Sequence, residues 1–238
     1  MGESDYSLHL LNRVAADGNI DLFDHLVTRG ADASLSTALH SASKCEDHEM
    51  SRAMVRRLLD KYHMDINRNN EDFRDFFRDA DDKGSPLCSA ILHRNLTVVH
   101  ELLQRGASPI EPDKYPISYA VMLDGFLPAL KPLFSAGADP TVALKQASSF
   151  RNFEAARMCL DNGADPVPAL QNALERYERK TKSIAEDKAG NASSSVPHHE
   201  EYQGMSARTK AEMRDRKAMI EWLRRAAESH LASDTAGS

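Results

Sequence analysis

Apolar residues return along this chain every three or four positions, the spacing that lines one face of a helix. Leu8, Leu11, Val14 and Ala15 form one such face, and Leu22, Phe23, Leu26 and Val27 form the next. Between them stands Gly18-Asn19, a pair suited to the left-handed backbone of a tight inter-helix turn. Farther along, Val98, Val99, Leu102 and Leu103 lead into Gly106-Ala107-Ser108-Pro109. That reads as the last two turns of an amphipathic helix, a glycine stop, and a proline that prevents the helix resuming.

The same phrase recurs at Leu22 to Asp32, Leu130 to Pro140 and Ala155 to Pro166. A phrase returning every few tens of residues marks stacked repeats. Each unit also has an opening. Thr37-Ala38-Leu39-His40-Ser41-Ala42 and Ser85-Pro86-Leu87-Cys88-Ser89-Ala90 are the clearest. Tyr115 to Ala120, Val142 to Ala147 and Pro168 to Ala173 are more eroded versions. A Thr or Ser at the cap offers its hydroxyl to free amides, and Pro suits the first helical position because it has no amide to satisfy.

These openings and endings resemble the ankyrin repeat, whose first helix opens Thr-Pro-Leu-His-x-Ala and whose second closes Leu-Leu-x-x-Gly-Ala-Asp. The resemblance covers roughly residues 8–178 and implies an all-α, ankyrin-like helical repeat solenoid of five to six degenerate units. The period in that family is about 33 residues. Here Asp32 to Asp65 spans 33, Asp65 to Ser108 spans 43, Ser108 to Asp139 spans 31 and Asp139 to Asp165 spans 26. The shortest interval leaves room for two short helices and almost no hairpin, so the finger between the fourth and fifth units should be vestigial.

The longest interval holds a helical insert near 69–83, with Phe73, Phe76 and Phe77 on one face and acidic residues on the other. Residues 1–7 read as a flexible N-terminus, and 186–205, with its Ser-Ser-Ser-Val-Pro run, as a flexible insertion. Residues 206–231 read as a C-terminal capping helix with Met213, Met219, Ile220, Leu223 and Ala227 as its apolar stripe. A solenoid needs such a cap to shield its last core layer. Residues 232–238 should fray.

Of the 238 residues, 41% are hydrophobic and 28% charged, enough apolar material for a core, and the net charge of −6 disfavours non-specific nucleic-acid binding. Cys45, Cys88 and Cys159 are odd in number and far apart, with no Cys-x-x-Cys pair, so neither a disulfide framework nor a zinc module is indicated, and a reduced compartment fits best. Met1 to Ser7 lacks the apolar stretch of a leader, and no apolar run approaches the roughly 18 residues of a membrane span. The expected location is intracellular, cytoplasmic and/or nuclear, with no membrane partner. Asn95-Leu96-Thr97 and Asn191-Ala192-Ser193 match the glycosylation pattern and read as chance.

No catalytic, cofactor-binding or metal-ligating residue is assigned. Asp79-x-Asp81-x-Lys83-Gly84 begins like a calcium loop, but its twelfth position is Ala90 instead of a bidentate Glu. His198 and His199 are adjacent and lack the spacing of a pre-organised site. His40 stands where the repeat has its helix-opening histidine, and there it bonds neighbouring loop backbone in preference to acting as a base. The cysteines read as small buried hydrophobes. Toward the C-terminus Arg208, Lys210, Arg214, Arg216, Lys217, Arg224 and Arg225 outnumber their acidic neighbours, which reads first as solubility of a capping helix.

The resemblance implies non-catalytic protein recognition, as an adaptor or scaffold. Carried across by register, the ends of the first helices line the concave face: Asp17, Lys44, Leu92, His93, Met122, Leu123, Ser149, Phe150, Glu175 and Arg176. The fingers add Asp82, Lys83, Asp113, Lys114 and Tyr115. Leu92, Met122, Leu123 and Phe150 would make an apolar centre, either an exposed patch or simply core. Trp222, the only tryptophan, matches the register of His25, Arg57, Glu101, Pro132 and Met158 and is either a hot spot or packed on the inserted loop. Two other readings stay open: an assembly subunit that oligomerises through an exposed solenoid end, and an enzyme or ligand-binding protein with a site under the 188–204 loop.

Overall fold

The computed structural model describes residues 3–69, 84–110, 115–122, 125–192 and 207–236. All the regular structure in them is helical, α with a few 3-10 turns. The chain divides into two compact units, Met1–Ala138 and Asp139–Ser238.

In the first unit helices come in pairs: α1 (Glu3–Ala16) with α2 (Ile20–Thr28), α3 (Ala38–Ser41) with α4 (His48–Asp60), α5 (Pro86–Leu92) with α6 (Leu96–Gln104), and α7 (Tyr115–Val121) with α8 (Leu130–Ser135). The first helices stack in the order α1, α3, α5, α7, and the second helices in the order α2, α4, α6, α8. Two helical layers result, and the core lies between them. Leu11, Leu39, Leu87 and Ile91 fill it from one layer, and Phe23, Met54, Leu58, Leu102 and Leu133 from the other, all fully buried. The second unit repeats the scheme with α9 (Pro140–Phe150) paired to α10 (Phe153–Asp161), and α11 (Pro166–Ala192) paired to α12 (Ala207–Ala236). This is an all-α helical repeat.

The turns inside three of the pairs, α1–α2, α5–α6 and α9–α10, use one device. Gly18, Arg94 and Arg151 take positive φ of 70°, 57° and 60°, and each is followed by an asparagine. That asparagine is not left-handed: Asn19 has φ −84° and caps α2 by accepting a hydrogen bond from Leu22 N at 3.0 Å. Asn95 does the same for Val98 N and Asn152 for Ala155 N. Gly18 has a second reason to be glycine, because a Cβ there would lie 3.0 Å from Met50 Cβ and 3.1 Å from Cys45 Sγ.

Thr37 and Ser85, expected to cap the first helices with their hydroxyls, make no such bond. The Thr37 backbone (φ −92°, ψ 26°) lacks the extended geometry of a cap, and Ser85 Oγ turns to Cys88 Sγ. Pro86 does occupy the first helical turn. Between the fourth and fifth repeats Asp139 caps α9 directly after Ala138, leaving no residues for a hairpin.

Three element boundaries differ from those read off the sequence. Helix α1 starts at Glu3, inside the stretch 1–7 expected to be flexible, because no Gly or Pro interrupts the chain from Glu3 to Ala16. Helix α11 runs to Ala192, into the 186–205 segment expected as an insertion. No proline follows Pro168 until Pro197, and Gly190 alone costs only about 1 kcal/mol. Helix α12 continues to Ala236 through the 232–238 stretch expected to fray, again without Gly or Pro until Gly237. Phe73, Phe76 and Phe77 lie outside the described residues.

Candidate protein-binding surface

The ends of the first helices come together because those helices stack. Asp17 follows α1, Lys44 closes the 3-10 turn after α3, Leu92 ends α5, and Met122 follows α7. Since α1, α3, α5 and α7 are neighbours in that order, these residues share one side of the layer. Leu92 and Met122 are half-buried, neither core nor fully exposed, and Lys44 is half-buried beside them in register. His93 is exposed as the C-cap of α5, and Asp17 is exposed with its carboxylate 3.2 Å from Arg13 Nε.

Other predicted positions do not join that group. Leu123, Asp82, Lys83, Asp113 and Lys114 lie outside the described residues. Tyr115 is the first residue of α7 and thus belongs to a helix and not to a finger. Phe150 ends α9 in the second unit, half-buried, with Ser149 beside it bonded to Lys145 O. Glu175 and Arg176 are not at a helix end: α11 continues through them for several turns, so the register carried over from shorter repeats fails there. Trp222 is half-buried and meets Phe153 of α10 edge to face, with ring centroids 6.1 Å apart at 86°. Its described neighbour is a repeat helix, and residues 193–206 of the inserted segment lie outside the described residues.

Several lesser readings resolve into packing. His40 Nε2 lies 3.2 Å from the Gly84 carbonyl, a loop-to-helix hydrogen bond across neighbouring repeats. All three cysteines are buried, and none is in a disulfide. Burial pushes the Cys159 thiol up to about 12.

The feature that spacing missed lies on the second helices. Glu101, in the same register as Trp222, has a side chain only 6% exposed and is held by three arginines. Arg56 Nε and Nη2 donate to its two oxygens at 2.9 and 2.8 Å, Arg105 Nε donates at 2.6 Å, and Arg52 Nε stands 3.5 Å away. Arg105 also forks onto Asp60 at 2.6 and 3.2 Å. The Arg56 hydrogen bonds hold the Glu101 carboxyl below its ordinary range, outweighing burial, which pushes it up. A second cluster joins α2 to α4. Lys61 Nζ and Tyr62 Oη donate to Asp24 at 2.8 and 2.7 Å, while the Tyr62 ring packs edge-on to Phe23. Burial raises the Asp24 pKa, but those two hydrogen bonds outweigh it and leave the group below its ordinary value. An open groove of about 590 Å³ runs along these charges between Glu49 and Lys61. The sequence signal existed in part: Arg52, Arg56 and Asp60 recur at i, i+4 along α4, and Glu101 and Arg105 at i, i+4 across α6.

Residues 11–113 match the family model for ankyrin repeats (3 copies). This part of the chain is built of ankyrin repeats, and the helix pairs beyond it follow the same plan in eroded form. No curated protein matches the chain significantly. Ankyrin repeats are in general protein–protein interaction modules. No helix among the described residues is long and apolar enough to cross a membrane.

Proposed function

We propose that this chain is a non-catalytic adaptor or scaffold that receives a protein partner on the side formed by the ends of α1, α3, α5 and α7. The observation that carries the reading is the half-burial of Leu92 and Met122 among Asp17, Lys44 and His93. An apolar centre with a polar rim is the anatomy of a recognition surface. The opposite layer pairs its charges with one another, on Glu101, Asp60 and Asp24. Three buried thiols, none in a disulfide, support work in a reducing compartment, the cytoplasm or the nucleus.

The test is affinity capture with mass spectrometry, comparing the wild type with Leu92→Asp and with Leu92→Asp combined with Met122→Asp. Circular dichroism first establishes that each variant is folded. Partners captured by the wild type and lost by a folded Leu92→Asp variant support the surface. Retention of every partner by the folded variants refutes it. Light scattering of the purified chain reads self-association separately, and a stable homo-oligomer occluding Leu92 would replace the adaptor reading with an assembly role.

A further inference from the structure

Within the second unit, α9, α11 and α12 gather five cations in one place. Arg176, Arg179, Lys180 and Ser183 fall at i, i+3, i+4 and i+7 on α11 and therefore on one face. Together with Arg216 of α12 they line a cleft of about 330 Å³. Arg151, which closes α9 in the left-handed conformation, adds a fifth charge.

These cations are not paired as those around Glu101 are. Among the described residues Arg216 alone of the five has a hydrogen-bonded carboxylate, with Nη2 2.7 Å from Glu212 Oε1 one turn away on the same helix, and that carboxylate acts on Lys180 and Arg151 only through its charge. Among the described residues no acidic side chain pairs with Arg176, Arg179 or Lys180. The Nε of Arg176 is buried and has no hydrogen-bond partner. Burial, and then the like charges of Arg216, Arg179 and Arg151, hold the Arg176 guanidinium below its ordinary value. Like charges held together around a buried, unsatisfied donor destabilise a fold, and among the described residues Glu212 offsets that cost only in part. A bound anion would offset more. Arginine forks match the oxygens of a phosphate group, two at a time.

We propose that the cleft between α11 and α12 binds a phosphoryl dianion, carried either on a phosphorylated peptide or on a small free phosphate compound. The inference stands on the second unit alone and is independent of the surface built on Leu92 and Met122.

The full chain is titrated at fixed ionic strength, by calorimetry, with three probes: inorganic pyrophosphate, a phosphoserine peptide, and the same peptide unphosphorylated. At least one phosphorylated probe should bind with one site per chain, and the phosphopeptide, if it binds, at least about tenfold more tightly than its unphosphorylated twin. Binding of pyrophosphate alone identifies a free phosphate ligand, and binding of the phosphopeptide alone a peptide-borne one. Arg179→Ala with Lys180→Ala should weaken binding by about tenfold or more, whereas Arg214→Ala with Lys217→Ala, on the exposed side of α12, should leave it unchanged. Arg176→Met should abolish binding and raise the melting temperature of the ligand-free chain, because it removes an unpaired buried donor. Failure of both phosphorylated probes to bind overturns the proposal. So does equal weakening by the Arg214/Lys217 pair, which would mean diffuse attraction. So would an Arg176→Met chain that melts lower and binds as before, since that is the signature of a purely structural arginine.

Discussion

Arg56 and Glu101 meet fork to fork across two repeats, both carboxylate oxygens taken by one guanidinium at 2.8 and 2.9 Å. Glu101 is 6% exposed while Arg56 is 46% exposed, so the pair joins a buried anion to a cation that keeps contact with water. Removing a carboxylate from water costs several kcal/mol, and one hydrogen bond would not offset that. The added Arg105 bond and the Arg52 charge tip the balance, and the carboxyl ends below its ordinary range. The charged side chains of α4 and α6 thus fasten one repeat to the next.

Glu101→Gln should therefore destabilise the chain by about 2 kcal/mol, the loss of charge-assisted hydrogen bonds moderated by the access of Arg56 to solvent. The pH dependence follows with a definite sign. The ordinary value is 4.5 and the folded value is lower, so between them the unfolded state binds more protons and stability rises with pH. The contribution is complete above that ordinary value and is lost as pH falls through the folded one. Asp24 and Glu212 shift in the same direction. Denaturant melts at about pH 6 and about pH 3.5 should show acid loss in the wild type and a smaller loss in Glu101→Gln. Equal losses in both would show that the Glu101 cluster is not the acid-sensitive element.

Gly106 ends α6 with φ 89°, and an added Cβ would meet nothing within 4 Å. Backbone strain alone then decides the effect of a side chain. Gly106→Val should cost about 1 kcal/mol or somewhat more, since a β-branched residue resists positive φ. An unchanged melting temperature would mean the turn relaxes to another conformation.

Asn95 does three things at once. Its Oδ1 accepts from Val98 N, and its Nδ2 donates to Ser51 Oγ at 2.9 Å and toward Ser43 O at 3.4 Å in the preceding repeat. Losing a helix cap costs about 1 kcal/mol, and leaving Ser51 and Ser43 with one partner fewer adds a comparable amount. Asn95→Ala should thus lower stability by about 2 to 3 kcal/mol, roughly twice the cost of Asn19→Ala, whose side chain only caps. Equal costs at the two positions would reduce Asn95 to a cap.

Glycine stops, helix-opening prolines and apolar faces were legible because each acts locally: Gly106, Pro86 and Leu102 do in the fold what their neighbours in sequence dictate. The sharing of Asn95 was not, because its donors serve a repeat 44 and 52 residues earlier. That burial, to 1% exposure, also explains why Asn95-Leu96-Thr97 is no glycosylation acceptor in the folded chain. Glu101 was hidden for a related reason. A charged residue at a second-helix position reads as surface until the arginines of the adjacent repeat are placed beside it. The register puts Leu92 and Met122 at the ends of first helices of ordinary length, and it failed to find a helix end at Arg176, because α11 does not end there.

Cys159 is fully buried on α10 with its thiol pushed up to about 12 by burial. At neutral pH almost none of it is thiolate, the form that reacts. Modification should therefore follow opening of the second unit and not pH. Mass spectrometry of the native chain exposed to a maleimide should show Cys159 unlabelled until denaturant is added. Rapid labelling in native buffer would mean that α10 opens locally.

Trp222 offers a private view of the second unit, being the only tryptophan in the chain. Its ring meets the edge of Phe153, the first residue of α10, at 6.1 Å and 86°. Such a pair contributes about 0.5–1.5 kcal/mol beyond the area it buries. Phe153 is itself 38% exposed, so its truncation leaves a partly solvated gap rather than a core cavity, and the pair should dominate the cost. Phe153→Ala should then shift the Trp222 emission to longer wavelength and destabilise the second unit by about 1 kcal/mol. The tryptophan-detected denaturation midpoint should fall while the Glu101 cluster, in the first unit, keeps its acid sensitivity. An unshifted spectrum with a lowered midpoint would show that Phe153 stabilises α10 without touching Trp222. An unshifted spectrum and an unchanged midpoint would leave the tryptophan free to serve as a contact for a partner.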